Sequence, residues 1–273
     1  MKKYYRILAT MIIACIGIIS LICLKKINEP LVVRETEETI LLNGQTKTLS
    51  ENFTCTGLTW DTKEKVFWVA DYGATSNDKK KNPRLVKMDR NLNIIGYISL
   101  FDVLKSDDNL QGISYDISND SIWIATGDSC KNVSKLGAVI KEFSSDEIMK
   151  YKSNGICVDG DSVWVLCYSN YLLKYSKNGE LLEKVSFDYK DQDMITLYGN
   201  QLLITVGADY NGDNNFILSY DLKTKETSVK FKVLGSYSVE GLTILDEKLY
   251  IANDGFFHDA KNKSSYIVRY NID

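Results

Sequence analysis

Oxygen-bearing side chains recur at one position of an internal sequence pattern, at the start of a short apolar run. The five residues at this position are Thr56, Gln111, Asn154, Asp193 and Glu240. All but Asp193 stand directly before a glycine. Carboxylate and amide oxygens are hard ligands, which suit Ca²⁺ or Mg²⁺ better than zinc or copper. If the runs converge in space, this position can hold a divalent cation.

A second set of polar residues follows the partner run of each repeat, and includes Asp71, Asn253 and Asp254. Together the two sets predict a metal site with Ca²⁺ as the expected ion. Its predicted ligands are Glu240, Asn154, Asp193, Gln111, Asp71, Asn253 and Asp254. A wet channel whose polar residues bind only ordered water is the alternative.

The candidate catalytic residues are Asp193, Glu240 and the single histidine, His258. An imidazole with an ordinary pKa of about 6.5 suits a general base. An exposed loop histidine without a role is the alternative, because no Gly-x-Ser-x-Gly nucleophile motif accompanies His258. The sequence therefore favours metal-dependent chemistry or binding over covalent catalysis.

A fivefold internal repeat must position these residues. Each copy contains two short apolar runs joined by a turn, and the copies start 39 to 55 residues apart. A period of about 40 to 50 residues built from short strands is typical of a β-propeller, with one four-stranded sheet per repeat. We therefore predict an all-β, five-bladed β-propeller. An open stack or a six-bladed ring is the alternative.

Individual strands can be assigned within the repeats. The last repeat ends after its third strand, and a strand at residues 38–42, before a turn at Asn43-Gly44, is predicted to complete it and close the ring. In the second repeat we expect the third strand at Val139–Phe143 and the fourth at Glu147–Lys150.

The amino-terminal segment differs from the rest. Lys2, Lys3 and Arg6 precede an 18-residue, mostly apolar stretch from Ile7 to Leu24, which as a helix measures about 27 Å, enough to cross a bilayer. The predicted organisation is a signal anchor or transmembrane helix at 1–26, a linker and ring-closing strand at 27–52, and a propeller at 53–273. The predicted location is the cell membrane, single-pass, with the propeller outside the cytoplasm. A cleaved signal peptide and a lipoprotein are the alternatives.

The amino-acid composition argues against a nucleic-acid partner. The net charge of −3 and a pI of 5.4 give no basic face for nucleic acid. The expected partners are the membrane, through the anchor, and a small-molecule, protein or sugar ligand at the cell envelope. The cysteine spacing contains no zinc-binding pattern. A disulfide between Cys55 and Cys130 is a hypothesis, since both are expected on one face of adjacent blades.

Two blade motifs carry a family resemblance. Asn154-Gly155-Ile156 followed by Val163-Trp164-Val165, and Glu240-Gly241-Leu242 followed by Leu249 to Asp254, resemble the gluconolactonase/senescence-marker (SMP-30-like) propellers and, equally, the SdiA-regulated (YjiK-like) family. The resemblance implies a divalent ion held by Glu240, Asn154 and a further acid, Asp193 or Asp71, that polarises a lactone carbonyl. Cys167-Tyr168 stands where the lactonase family has Asp-Ser, and the glutamate blade comes last instead of first. Glu240 to Tyr250 also resembles one blade of plant-type glutaminyl cyclotransferases.

The sequence thus predicts a membrane-anchored extracytoplasmic propeller that binds a ligand or partner at its channel mouth, with a divalent cation. The alternative is a metal-dependent hydrolase of the lactonase or esterase type.

Overall fold

The computed structural model describes residues 31–32, 34–49, 54–73, 82–105, 108–189, 191–207, 209–212 and 214–272. Within these ranges the chain forms twenty-one β-strands and one short α-helix. The fold is all-β.

The strands follow the sequence repeat. The first two described strands are β1 (Leu31–Val32) and β2 (Arg34–Thr48). The first repeat forms β3 (Cys55–Asp61), β4 (Val66–Asp71), β5 (Arg84–Met88) and β6 (Ile94–Ser99). The second forms β7 (Ile113–Asp116), β8 (Ser121–Ala125), β9 (Cys130–Ser134) and β10 (Val139–Phe143), followed by the helix α1 (Asp146–Tyr151).

The remaining repeats have the same up-and-down order. The third forms β11 (Ser153–Asp159), β12 (Ser162–Cys167), β13 (Tyr171–Ser176) and β14 (Leu181–Asp188). The fourth forms β15 (Gln192–Tyr198), β16 (Gln201–Val206), β17 (Asn215–Asp221) and β18 (Thr227–Leu234). The fifth forms β19 (Val239–Leu245), β20 (Lys248–Asp254) and β21 (Ser265–Asn271).

The prediction of a five-bladed propeller with a separate sheet for each repeat is wrong, because the described strands form four sheets. Repeats one and two each form a four-stranded sheet, and repeat three adds β1 beside β14 as a fifth strand. Repeats four and five share one sheet, with the strand order β15-β16-β17-β18-β2-β21-β20-β19. The long strand β2 joins them, because it pairs on one side with β18 and on the other with β21.

The closing strand is also displaced from its predicted position. Residues 44–48 pair antiparallel with β21, whereas residues 40–43 pair parallel with β18. The predicted turn at Asn43-Gly44 is instead continuous strand. A Cβ atom on Gly44 would overlap Val268 and Tyr270. Glycine is therefore needed where β2 passes from one repeat to the next.

The predicted third and fourth strands of the second repeat are also wrong. Its third strand is β9, so Val139–Phe143 is the fourth strand. The segment predicted as the fourth strand lies in α1. Ser145 caps this helix by accepting a hydrogen bond from the Ile148 amide at 3.2 Å, and Asp146 and Glu147 occupy the first turn, where they oppose the helix dipole.

The first strands of the repeats form a closed circle. β3, β7, β11, β15 and β19 each contact the next, and β19 contacts β3. Glycine permits the close approach, since a Cβ on Gly155 would lie 2.9 Å from the Asp193 carbonyl oxygen and one on Gly241 would lie 2.8 Å from the Gly57 Cα. The residues before these glycines are thereby drawn toward a common axis.

Repeats one to three share a Trp–Asp contact. In each, an aspartate at the end of the first strand accepts a hydrogen bond from a tryptophan Nε1 on the second strand. The pairs are Asp61–Trp68 at 3.4 Å, Asp116–Trp123 at 3.1 Å and Asp159–Trp164 at 3.1 Å. Each aspartate also meets a lysine: Lys135 at 3.0 Å, Lys177 at 2.7 Å and Lys174 at 2.8 Å, respectively. Lys135 and Lys177 come from the following repeat and so tie neighbouring sheets together.

The predicted disulfide between Cys55 and Cys130 is wrong. Both are buried free thiols, as are Cys157 and Cys167. The Cys55 thiol donates instead to the carbonyl of Asn253 at 2.8 Å.

The predicted membrane anchor falls on residues 1–26, which lie outside the described residues. Across the part of the chain that the structure describes, no helix is long and apolar enough to span a bilayer, and α1 has only six residues. The described residues thus contain no counterpart of the predicted single-pass anchor.

Candidate functional site

Three predicted ligands lie at one end of the circle of strands. Asn154, Asp193 and Glu240 stand near the starts of β11, β15 and β19, and the register with the partner strand shifts at each of them. Such β-bulges leave the extra residue outside the regular ladder and redirect its side chain. We call this end of the circle the mouth.

The centre of the mouth is a group of acids around one imidazole. His258 Nε2 lies 3.5 Å from Glu240 Oε1 and 3.4 Å from Asp254 Oδ1. One ligand atom from each of these three residues lies within 4.8 Å of the others. Asp193 adjoins them, and its carboxylate accepts a hydrogen bond from Asn154 Nδ2 at 3.2 Å. We call Asp193, Glu240, Asp254 and His258 the mouth cluster.

The mouth cluster disfavours its own ionisation. Burial raises the pKa of Glu240 to about 8. Burial, with the added charge of Glu240, raises the pKa of Asp193 and of Asp254 well above the usual range. Burial also lowers the pKa of His258, so its imidazole is neutral near pH 7. These raised pKa values indicate that no lysine or arginine among the described residues of the site stabilises the ionised carboxylates.

A cavity of about 210 Å³ opens beside the cluster. None of the described residues that line it is a lysine or an arginine; they are Tyr168, Asp191, Gln192, Asp193, Gly207, Tyr210, Glu240 and His258. The Tyr210 ring stacks on the His258 ring, with centroids 4.6 Å apart and planes at 15°. The Lys261 amide donates to the Tyr210 carbonyl at 2.8 Å, which joins the two loops that carry these rings.

Two buried acceptor atoms at the mouth lack hydrogen-bond partners. Asp254 is 1% exposed and its Oδ1 has none. Gln192 is 2% exposed; its Nε2 donates to the Cys167 carbonyl and to Asn170 Oδ1, each at 3.2 Å, but its Oε1 has no partner. Because an unpaired buried acceptor is costly, each invites a ligand that donates a hydrogen bond or carries positive charge.

Two other predicted ligands hold the scaffold together. Asp71 forms an ion pair with Arg84 at 2.8 Å and accepts the Thr54 and Gly73 amides, each at 3.0 Å. The Asn253 side chain donates to Ser236 Oγ at 3.1 Å and to the Ile251 carbonyl at 3.2 Å. These groups stabilise strand ends, and neither side chain lines the cavity.

Gln111, the remaining predicted ligand, does not line the cavity either, and its backbone amide donates to Ala125. The structure therefore brings together Asn154, Asp193, Glu240 and Asp254 from the predicted ligands, and His258 from the predicted catalytic residues.

The predicted site residues leave out five lining residues: Tyr168, Asp191, Gln192, Gly207 and Tyr210. Tyr168, Gly207 and Tyr210 follow β12 and β16, the second strands of their repeats, and Asp254 ends the equivalent strand β20. Gln192 and Asp191 directly precede Asp193 in sequence. Asp191 and Gln192 lie within two residues of the predicted Asp193, whereas Tyr210 lies four residues beyond the end of β16.

Comparison with known proteins supports the fold and no narrower grouping. No family model and no curated protein sequence matches the chain. The crystal structure of Myxococcus xanthus glutaminyl cyclase is similar, with a TM-score of 0.61 and 9% identity over 90% of this chain and 100% of that one. A Bacteroides caccae protein of unknown function is similar with a TM-score of 0.51 and 14% identity, over 77% of this chain and 83% of that one. These likenesses show a β-propeller-type fold.

Proposed function

We propose that this protein binds a divalent cation at the mouth cluster and a small ligand in the cavity beside it. The observation that carries the proposal is Asp254 Oδ1, a buried carboxylate oxygen without a hydrogen-bond partner, 3.4 Å from His258 Nε2. A cation at this point would meet Glu240 as well as these two residues.

Charge balance supports a cation. Ionised carboxylates that share a buried site repel one another, and the described lining residues include no basic side chain to offset them apart from the neutral His258. A divalent ion would remove this penalty. Asn154 would act from behind by orienting Asp193 through their 3.2 Å hydrogen bond.

The donor set widens the choice of ion. Oxygen ligands alone predict Ca²⁺, but the structure adds an imidazole nitrogen to two carboxylates. Imidazole suits Zn²⁺, and carboxylates suit Mn²⁺ as well as Ca²⁺, so Mn²⁺ and Zn²⁺ belong in the test beside Ca²⁺.

The test is thermal unfolding and titration calorimetry of chelator-treated protein with Ca²⁺, Mn²⁺ or Zn²⁺ alone. An ion at one hundred times its Kd should stabilise the protein by about 2.7 kcal/mol, a rise in Tm of about 5 to 11 °C. Glu240→Gln should abolish both the heat and the Tm shift. Asp259→Asn, which removes an exposed carboxylate paired with Lys263 on the same loop, is the matched control and should keep both. Absence of heat and of any Tm shift with all three ions in the wild type would refute the metal site.

A metal-dependent hydrolase of the lactonase or esterase type is the second candidate. His258 beside Glu240, at the edge of a cavity with room for a small organic molecule, favours it. A divalent ion, when bound, supplies Lewis-acid polarisation of a carbonyl; Glu240, Asp193 or His258 would serve as the base. The proposed relation to SMP-30-like or SdiA-regulated propellers belongs with this candidate.

Assays with lactones, aryl esters and a glutaminyl cyclase substrate, each with the ion present, separate catalysis from binding. Turnover that Asp193→Asn abolishes without a loss of folding would establish an enzyme. Ion binding with no turnover of any substrate would leave the ligand-binding function.

A further inference from the structure

We propose that the organic ligand of the mouth cavity is a small ammonium compound, held by carboxylates and by tyrosine rings. The inference concerns the cavity of the proposed function and rests on that cavity being the binding site; it does not require the ion.

The first support is charge that a divalent ion would leave over. An ion on Glu240, Asp254 and His258 offsets two carboxylates. Asp191 and Asp193 also line the cavity, so two carboxyl groups remain without a basic side chain among the described lining residues. A ligand carrying positive charge completes the balance, whereas a phosphate or carboxylate ligand would be repelled.

The second support is independent of the acids. Gln192 lines the same cavity, and its Oε1 is buried and has no hydrogen-bond partner. Its amide nitrogen is held by two acceptors, so the amide cannot turn over without losing both bonds. The fixed oxygen needs a donor, and an ammonium or hydroxyl group on the ligand supplies one.

The third support is aromatic. Tyr168 is 47% exposed, and Tyr210 stands on the other lining loop against His258. Both rings line the cavity together with Asp193 and Glu240. An organic cation at such a place gains cation–π attraction in addition to its ion pairs.

The volume of the cavity limits the size of the ligand. The 210 Å³ of the cavity corresponds to about seven water volumes. This room exceeds what a lone ion needs and admits a compound of the size of choline or cadaverine.

The experiment is calorimetry of chelator-treated and of calcium-saturated protein with choline, cadaverine and 3,3-dimethylbutan-1-ol, the neutral isostere of choline. We expect at least one ammonium probe to bind at least about tenfold more tightly than the neutral alcohol, with and without calcium. Equal binding of the alcohol, or no binding of either ammonium probe, would overturn the proposal. Calcium titration without probe tests the metal site separately, so failure of one proposal is distinguishable from failure of the other.

Variants locate the binding. Tyr210→Leu should weaken the ammonium probe about tenfold, whereas Tyr210→Phe, which keeps the ring, should stay within about threefold. Tyr97→Leu, which removes an exposed ring on β6 away from the mouth, is the control and should leave binding unchanged. If Tyr210→Leu does not fold, Asp193→Asn serves in its place and should weaken binding about tenfold. Unchanged binding in both mouth variants would place the probe elsewhere and refute the assignment.

Discussion

Two groups of acids in this protein differ in whether a lysine lies among them. At the mouth, Asp193, Glu240 and Asp254 gather around a neutral imidazole, and the pKa of each carboxyl is raised. Between the first two repeats, Lys135 lies 3.0 Å from Asp61 and 2.7 Å from Glu64, and also pairs with Asp120. We call Lys135, Asp61, Glu64 and Asp120 the Lys135 cluster.

In the Lys135 cluster, the pKa values of Asp120 and Glu64 move the other way. Hydrogen bonds from Lys135 and Lys63 hold the pKa of Asp120 below its usual range, and hydrogen bonds from Lys135 and Lys87 do the same for Glu64. Burial acts against the charge of Lys135, but its hydrogen bonds to Asp120, Glu64 and Asp61 outweigh burial and raise its pKa. The comparison teaches that burial of acids does not by itself mark a site. The acids that pair with Lys135 stabilise the fold, whereas the acids of the mouth cluster have no lysine or arginine partner in the cavity lining and can bind a ligand.

Loss of the internal cation should have the largest effect. In Lys135→Met, Asp61 stays fully buried without its lysine, so we expect a loss of about 3 kcal/mol in the free energy of unfolding, or about 6 to 12 °C in Tm. This lies at the low end for a broken buried pair, because Asp61 keeps the Lys63 and Glu64 amides at 2.9 Å. Urea unfolding measures it.

The matched control is Lys263→Met, which removes a 71% exposed lysine paired with Asp259. It should change stability by less than about 0.5 kcal/mol. Equal effects of the two substitutions would remove the distinction between the clusters.

Replacing an acid of the mouth cluster by its neutral amide should increase the free energy of unfolding, in contrast to Lys135→Met, which should lower it. At pH 8 and without added metal, Glu240→Gln should stabilise the protein by about 1 to 2 kcal/mol, because it removes charge that no internal cation offsets. Thermal unfolding measures the change. The matched control is Glu64→Gln in the Lys135 cluster, which should destabilise the protein.

The same substitution should change the pH dependence. The Glu240 pKa of about 8 in the native protein exceeds its ordinary 4.5, so the native state retains the proton more strongly. The stability it contributes is complete below about pH 4.5 and is lost as pH rises through 8. Metal-free wild type should therefore lose stability from pH 5 to 8 relative to Glu240→Gln. A constant difference across this range would contradict the prediction. The pKa values of Asp120 and Glu64 are lowered. Their contribution to the free energy of unfolding should therefore be lost only as pH falls below about 4.

The smallest effect should come from the residue that orients an acid. Asn154→Ala removes the hydrogen bond to Asp193 and should weaken calcium binding about fivefold to tenfold. Titration calorimetry measures it. Asn178→Ala removes an exposed amide that bonds Lys141 and should leave calcium binding unchanged. A weakening of more than a hundredfold by Asn154→Ala would make Asn154 a direct ligand.

Much of the site was predictable because its residues belong to the repeat. Asn154, Asp193 and Glu240 occupy one position of the pattern, and a pattern that recurs in sequence places its members at the same end of neighbouring strands. Asp71 fits its part of the pattern equally well, yet it is paired with Arg84. The residue type did not reveal which acids have partners, because the partner can lie anywhere in the chain; Lys135 and Asp61 are 74 residues apart.

The sequence by itself determined the repeated short strands, the glycines that let the first strands meet and the polar residues before those glycines, because these depend on local periodicity and on backbone sterics. Only the tertiary structure decided that β2 joins the last two repeats into one sheet. It also decided that Asp61 pairs with Lys135, whereas the described residues that line the cavity offer Glu240 no lysine or arginine. Strand pairing and charge compensation both depend on contacts between distant parts of the chain, which a local pattern does not contain.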